Sequence, residues 1–249
     1  MPRSPHETPR QRLLLLPGLD GTEVLFAPLI AALPAWLQAT VVTYPIAGRN
    51  SYDDLLPPLL AWVRRQPDCH VLGWSFSGPL ALRLARTEPR RVRSVTLAAS
   101  FVRRPLPWLA VAGPLLTTSV VGAVRTLRRL PIWLGRARTD PLRRDKAILW
   151  ERVPARTLAA RVRTICSVDA RDDLRAVRQP LLYLHSLRDR VVPIRNLDGI
   201  RTLRPDLQVV GLAGGHLALY AEAATAAAAI GRFVASVERG IPTASGDAT

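Results

Sequence analysis

Short apolar runs alternate with helical patterns along most of the chain. Arg12-Leu13-Leu14-Leu15-Leu16 is apolar and ends at Pro17-Gly18, which predicts a buried strand followed by a loop over residues 17–22. Residues 23–36 carry Val24, Leu25, Leu29, Ile30 and Leu33 at helical spacing, and residues 40–44 predict a second strand stopped by Pro45. Ser51 precedes two acids and, further on, arginines, so a helix is expected through Arg65 with Ser51 as its N-cap. Val71-Leu72 predicts a third strand, and Leu80, Leu82, Leu84 and Ala85 a helix after it. Residues 92–98 predict a fourth strand, 180–185 a fifth and 207–212 a last one. A short helix over 191–200 and a long alanine-rich one over 217–237 complete the pattern.

Such alternation implies an α/β fold: a mostly parallel central sheet with helices on both faces. Residues 101–178 break the rhythm. They contain no strand pattern and are divided by Pro105, Pro107, Pro114, Pro131, Pro141 and Pro154, which predicts a helical cap inserted into the core. The expected division is a disordered tail at 1–12, a core at 13–100 and 179–239, the cap at 101–178 and a second disordered tail at 240–249. Residues 105–124 bear no charge, but three prolines and two glycines argue against a bilayer span there. The Leu13–Leu16 run is too short for a signal peptide, so the cytoplasm is the expected compartment.

The chain has 249 residues and a formal net charge of +16, and Lys146 is its one lysine. Between Arg103 and Arg163 there are fourteen basic residues against Asp140, Asp145 and Glu151. A general arginine bias accounts for part of this. If the cap is apolar inside, Arg125, Arg128, Arg129, Arg136, Arg138, Arg143, Arg144 and Lys146 should face solvent at its rim, where they would attract an acidic carrier protein or an anionic surface. Nucleic acid is not expected as a partner, because no recognition-helix or zinc signature accompanies the charge. Cys69 and Cys166 do not make a metal or disulfide framework, and no metal or cofactor is expected.

The candidate chemistry centres on Gly73-Trp74-Ser75-Phe76-Ser77-Gly78, where the third strand turns into a helix at a serine with small neighbours. That is the pattern of a nucleophile elbow, in which a strained turn lifts the hydroxyl clear of the sheet. Ser77 stands where the usual G-x-S-x-G has glycine, so its Cβ must be accommodated. A serine nucleophile needs a base, and the base an orienting acid. His6 lies in the tail, His70 at the wrong end of its strand and His185 inside a strand; His216, after Gly214-Gly215, lies at the same sheet end as Ser75. Asp189 lies just past the fifth strand, whereas Asp169, Asp172 and Asp173 precede it and read as helix-capping or surface residues. Phe76 N–H is one candidate oxyanion donor. Asp20 is expected to turn away and bond N–H groups of the Gly21-Thr22 turn.

The order Ser75, Asp189, His216, the Gly-Trp-Ser-Phe-Ser-Gly elbow, the cap position and Asp189-Arg190-Val191-Val192-Pro193 resemble the α/β-hydrolase superfamily. Within it they are similar to small bacterial carboxylesterases, including those that demethylate pimeloyl-carrier-protein esters. The resemblance implies an α/β-hydrolase fold over residues 13–238 and a catalytic triad of Ser75, Asp189 and His216. It also implies a second oxyanion donor at Leu19, in a loop where Pro17 replaces the superfamily's usual histidine. Trp74, Trp108 and Trp133 are expected to line the substrate pocket, with Leu19, Leu109, Leu115, Leu116 and Leu134. The expected activity is cleavage of a small-molecule ester with a small to medium acyl chain. The alternatives are a thioesterase or carrier-protein methyl-ester hydrolase that docks an acidic partner on the cap, and a binding module with a decayed site.

Overall fold

The computed structural model describes residues 10–109, 117–120, 122–123 and 140–240. Six strands form one sheet: β1 (Gln11–Leu16), β2 (Leu37–Val41), β3 (Cys69–Trp74), β4 (Val92–Ala98), β5 (Leu181–Ser186) and β6 (Gln208–Leu212). All neighbours are parallel, in the order β2-β1-β3-β4-β5-β6. The chain leaves β1 toward one edge and returns to β3 on the other side. The switch point therefore lies between the carboxyl ends of β1 and β3, where open α/β sheets bind ligands.

The helices are α1 (Ala27–Ala32), α2 (Tyr52–Arg64), α3 (Gly78–Thr87), α4 (Pro141–Arg152), α5 (Ala155–Cys166), α6 (Arg171–Ala176), α7 (Arg195–Leu203), α8 (Ala218–Ala221) and α9 (Ala223–Glu238). Two buried layers result, one on each face. Leu14, Leu16, Val71, Val95 and Tyr183 pack with α2, α3 and α7, while Leu13, Leu15, Leu72 and Leu182 pack with α1 and α9. Alternate residues of one strand serve opposite layers, which is why β1, β3 and β5 are buried along nearly their whole length rather than at alternate positions.

Several elements differ from their expected positions, each for a tertiary or local reason. β2 runs three residues earlier than the pattern suggested, because it pairs with β1 from Gln11↔Leu37 to Leu15↔Val41, after which Tyr44 N–H donates to Gly21 O. The helix expected over 23–36 is a 3-10 turn (Val24–Phe26) followed by the short α1, which ends where Leu33 adopts an extended conformation before Pro34. α7 begins at Arg195 instead of 191, because the Asp189 carboxylate holds the Val191 and Val192 N–H groups in a turn ahead of Pro193. The long terminal helix divides at Glu222 into α8, packed near α1 and β5, and α9, packed along α1 and the sheet. The Ser51 N-cap is present as a reciprocal capping box with Asp54.

Arg103 and Asp169 form an isolated antiparallel bridge, and Ala170 N–H donates to Val102 O. The segments at residues 102–103 and 169–170 thus lie side by side. No helix among the described residues is long and apolar enough to cross a membrane. Residues 110–116, 121 and 124 of the uncharged stretch 105–124 lie outside those residues.

Candidate active site

Parallel pairing brings three loops to one edge of the fold. The β1–β3 register sets Leu16 against Gly73, so the loop after β1 lies beside the turn after β3. The β5–β6 ladder continues past its strands through Leu187 N–H to Leu212 O (3.0 Å) and Arg188 N–H to Gly214 O (2.7 Å). This draws the Asp189 and His216 loops together.

Ser75 follows β3 directly and has φ 50°, a left-handed conformation that serine adopts only under constraint. The constraint is visible. Ser100 Oγ donates to Ser75 O (2.6 Å), Tyr52 OH donates to Phe76 O (2.8 Å), and the Tyr52 ring stacks on Phe76 at 4.8 Å. Tyr183 OH in turn holds Ser100 O at 2.7 Å. Close approach is required at Gly73, where a Cβ would lie 2.6 Å from Ser77 O, and at Gly78, where it would lie 1.9 Å from Ser100 Oγ.

The Cβ of Ser77 is accommodated, and its hydroxyl has partners. It donates to Pro17 O and accepts from Tyr44 OH at 2.6 Å, so it ties the elbow to the loop after β1. Ser77→Ala would leave the buried Tyr44 hydroxyl and Pro17 carbonyl without this partner. A loss of about 1–3 kcal/mol in urea-unfolding free energy is expected, and an unchanged midpoint would contradict this account.

Ser75 Oγ lies 2.9 Å from His216 Nε2, and His216 Nδ1 lies 2.8 Å from Asp189 Oδ2. The other carboxylate oxygen, Oδ1, accepts the N–H groups of Val191 (2.8 Å) and Val192 (2.9 Å). Burial acts to raise the pKa of the Asp189 carboxyl. The bond and charge of His216 and the two backbone donors outweigh it and hold the group below its ordinary value. An ionised carboxylate only accepts hydrogen bonds, so Nδ1 carries the imidazole proton and Nε2 presents a lone pair to Ser75.

The other histidines and acids are engaged elsewhere. His70 is buried at the opposite end of β3 with Nδ1 2.7 Å from Ser94 Oγ, and burial lowers its pKa to about 4. His185 is buried in β5, and His6 lies outside the described residues. Asp169 and Asp172 pair with Arg171 and Arg175, while Asp173 is buried between Arg83 and Arg86. Asp20 accepts Thr22 N–H (2.9 Å) and Thr22 Oγ1 (2.6 Å), which turns its carboxylate into its own loop.

A cavity of about 790 Å³ opens over Ser75 and His216. It is lined by Leu19 and Trp74 and, from residues 101–178, by Trp108 and Leu109, Leu149 of α4, and Leu158, Val162 and Ile165 of α5. Leu158, Val162 and Ile165 recur at helical spacing, so one stripe of α5 faces the cavity. Arg143, Lys146 and Arg190 add charge to an otherwise mostly apolar lining. Leu115, Leu116, Trp133 and Leu134, expected in the same pocket, lie outside the described residues, as do Arg125, Arg128, Arg129, Arg136 and Arg138. Arg143 and Arg144 are exposed, and Lys146 is half-buried.

One residue of the site escapes the sequence pattern. Arg161 of α5, which is not among the residues expected at the rim, is fully buried. Its five N–H donors are all used: Nη1 on Leu19 O and Asp20 O, Nη2 on Pro45 O and Asn50 Oδ1, and Nε on Asn50 Oδ1. Among so many arginines the available hint was Thr157, one turn earlier on the same face of α5, which also bonds a core carbonyl, Ile46 O.

The chain was compared with known proteins, and no family model matches it. It is 30% identical over 226 residues to the pimeloyl-[acyl-carrier protein] methyl ester esterase of Aromatoleum aromaticum, covering 80% of this chain and 88% of the relative. It is 30% identical over 244 residues to the enzyme of the same name from Xanthomonas oryzae pv. oryzae, covering 90% and 95%. Among solved structures, an esterase from Exiguobacterium antarcticum superposes with a TM-score of 0.76 at 16% identity, over 92% of each chain. An enol-lactonase from Burkholderia xenovorans superposes with a TM-score of 0.72 at 18% identity, over 93% of this chain and 94% of that one. With the parallel sheet and the sequence relatives in agreement, the chain belongs to the α/β-hydrolase superfamily and is a carboxylic ester hydrolase.

Proposed function

We propose that the protein cleaves esters through an acyl-enzyme on Ser75, with His216 as general base and Asp189 as the acid that orients it. The observation carrying this reading is the continuous Ser75–His216–Asp189 hydrogen-bond relay at the floor of a largely apolar cavity. His216 Nε2 takes the hydroxyl proton as Ser75 Oγ attacks the ester carbonyl carbon. The carbonyl oxygen becomes an oxyanion held by the N–H groups of Leu19 and Phe76. Collapse of this intermediate returns the proton from His216 to the leaving alcohol. A water molecule, deprotonated by His216, then attacks the acyl-enzyme, and the acid leaves as Ser75 regains its proton. Asp189 fixes the imidazole tautomer and balances its transient positive charge. Each step uses side chains, backbone N–H groups and water.

The cavity volume and lining fit a small to medium acyl chain, with Trp74 and Trp108 as apolar wall. A fluorophosphonate probe should label the wild type and fail to label Ser75→Ala. A series of p-nitrophenyl esters should then peak at short to medium acyl chains. Absence of labelling in the wild type would sink the triad reading, and a preference for long chains would sink the substrate reading.

A second reading is favoured by the relatives' substrate and by Arg143, Lys146 and Arg190 in the cavity lining: the ester or thioester is carried on an acidic carrier protein. Exposed charges steer association and are screened beyond about 8 Å at physiological salt. Raising salt from low to high ionic strength should lower kcat/KM for a carrier-borne ester by about tenfold and leave a small neutral ester nearly unchanged. An equal response of both substrates would remove the carrier reading and leave the simple esterase.

A further inference from the structure

A fully buried cation in the insertion makes five hydrogen bonds to the core, and two of them fall on the loop assigned above as half of the oxyanion site. We propose that Arg161 is the positioning residue of that loop: from α5, its guanidinium locks the turn of residues 18–21 so that Leu19 N–H is aimed at the forming oxyanion. The inference rests on the Ser75 reading and deepens it.

Three peptide planes define the turn, and each is fixed. The Leu19 N–H belongs to the Gly18–Leu19 peptide, whose carbonyl accepts Gly21 N–H at 3.0 Å. The next two planes present Leu19 O and Asp20 O to the same nitrogen of Arg161, at 2.9 and 2.6 Å. A planar guanidinium with donors in a rigid fork can hold two carbonyls in fixed relative orientation, which an ammonium on a flexible stem cannot. Contact is too close for any side chain between them. Gly21 has φ 69°, and a Cβ there would lie 2.4 Å from Arg161 Nη1.

The far end of the guanidinium is anchored independently. Pro45 O and Asn50 Oδ1 accept from Nη2, and Asn50 is itself held at φ 56° with its amide donating to Ala47 O and Gly48 O. The Arg161 side chain therefore spans from the 45–50 loop to the 18–21 turn as a strut. It also offsets the buried Asp20 carboxyl, whose pKa is raised by burial although Thr22 and Arg161 pull it down. A preorganised donor stabilises the transition state and adds nothing to ground-state binding, so the loss of its support should fall on kcat.

Arg161→Met, Arg161→Lys and Gly21→Ala, the last intruding on the guanidinium from the turn side, would be assayed with a p-nitrophenyl ester beside the wild type and Ser75→Ala. Arg161→Met and Gly21→Ala are expected to lower kcat by about 10- to 100-fold with KM within about threefold, and Arg161→Lys to fall between them and the wild type. A second readout separates positioning from mere looseness of the roof. A trifluoromethyl ketone accepts Ser75 Oγ at its carbonyl carbon, the serine proton passes to His216, and the ketone oxygen becomes an oxyanion. Its affinity should fall in proportion to kcat/KM, while affinity for the corresponding secondary alcohol, which forms no oxyanion, stays unchanged. Parallel loss of ketone and alcohol affinity, or wild-type kcat in Arg161→Lys, would overturn the proposal. Should Arg161→Met fail to fold, the same measurements on Arg161→Lys and Gly21→Ala decide it. Retained turnover in Ser75→Ala would instead overturn the underlying triad.

Discussion

Ser75→Ala is expected to lower turnover of a p-nitrophenyl ester by about six orders of magnitude, the scale seen when a serine triad loses its nucleophile. The effect is large because His216 is left with no hydroxyl to deprotonate, and no other hydroxyl is seen in hydrogen bonding to its Nε2 among the described residues. Substrate binding should persist, because the cavity lining is mostly apolar and its apolar side chains are not altered by the loss of Oγ. The elbow should also persist. Its buttresses act on backbone carbonyls, from Ser100 to Ser75 O and from Tyr52 to Phe76 O, and alanine keeps both. A folded variant with unchanged thermal unfolding and a vanishing rate is the expected pair of observations. Turnover near the wild-type rate would end the triad assignment.

Asp189→Asn is expected to cost about four orders of magnitude in kcat, far more than the loss of one charge near a surface would suggest. The reason is the tautomer. Oδ1 of Asp189 already accepts two backbone donors, Val191 and Val192 N–H, so the asparagine carbonyl will take that place. Its amide NH2 then faces His216 Nδ1, which can only accept from it. The ring proton moves to Nε2, and the lone pair that should receive the Ser75 proton is gone. Stability carries a second signature. The pKa of Asp189 is lowered in the fold, so its contribution is present above the unfolded value near 3.8 and is lost as pH falls through the lower folded value. The wild type should therefore be more stable than Asp189→Asn at neutral pH, and the two should converge in strong acid. A constant stability difference across pH would show that the carboxylate is not favoured by its surroundings.

Much of this was legible in the chain itself. The six strands and their parallel arrangement follow from apolar runs alternating with amphipathic helices, because a strand buried on both faces must be apolar throughout. The placement of Ser75, Asp189 and His216 at strand carboxyl ends follows from the same alternation. So does the turning of Asp20 onto Thr22, since a buried carboxylate must find donors and the nearest lay two residues away.

Register, helix boundaries and long-range partners were decided only in three dimensions. β2 was misplaced by three residues because its own apolar pattern is compatible with either span, and only the ladder to β1 selects one. The start of α7 depends on Asp189, whose carboxylate holds the two N–H groups just after it. Ser77 looked like a departure from the motif, yet its hydroxyl meets Pro17, 60 residues away in sequence. Arg161 is the extreme case: local pattern assigns an arginine to solvent because an isolated buried charge is costly. What reverses that cost is five hydrogen bonds to four acceptors drawn from three stretches of the core, at Leu19 and Asp20, Pro45, and Asn50. The sequence alone determined which segments bury and in what order. Which distant polar groups meet was left to the tertiary structure, because a hydrogen bond depends on the direction of atoms that only the packed chain orients.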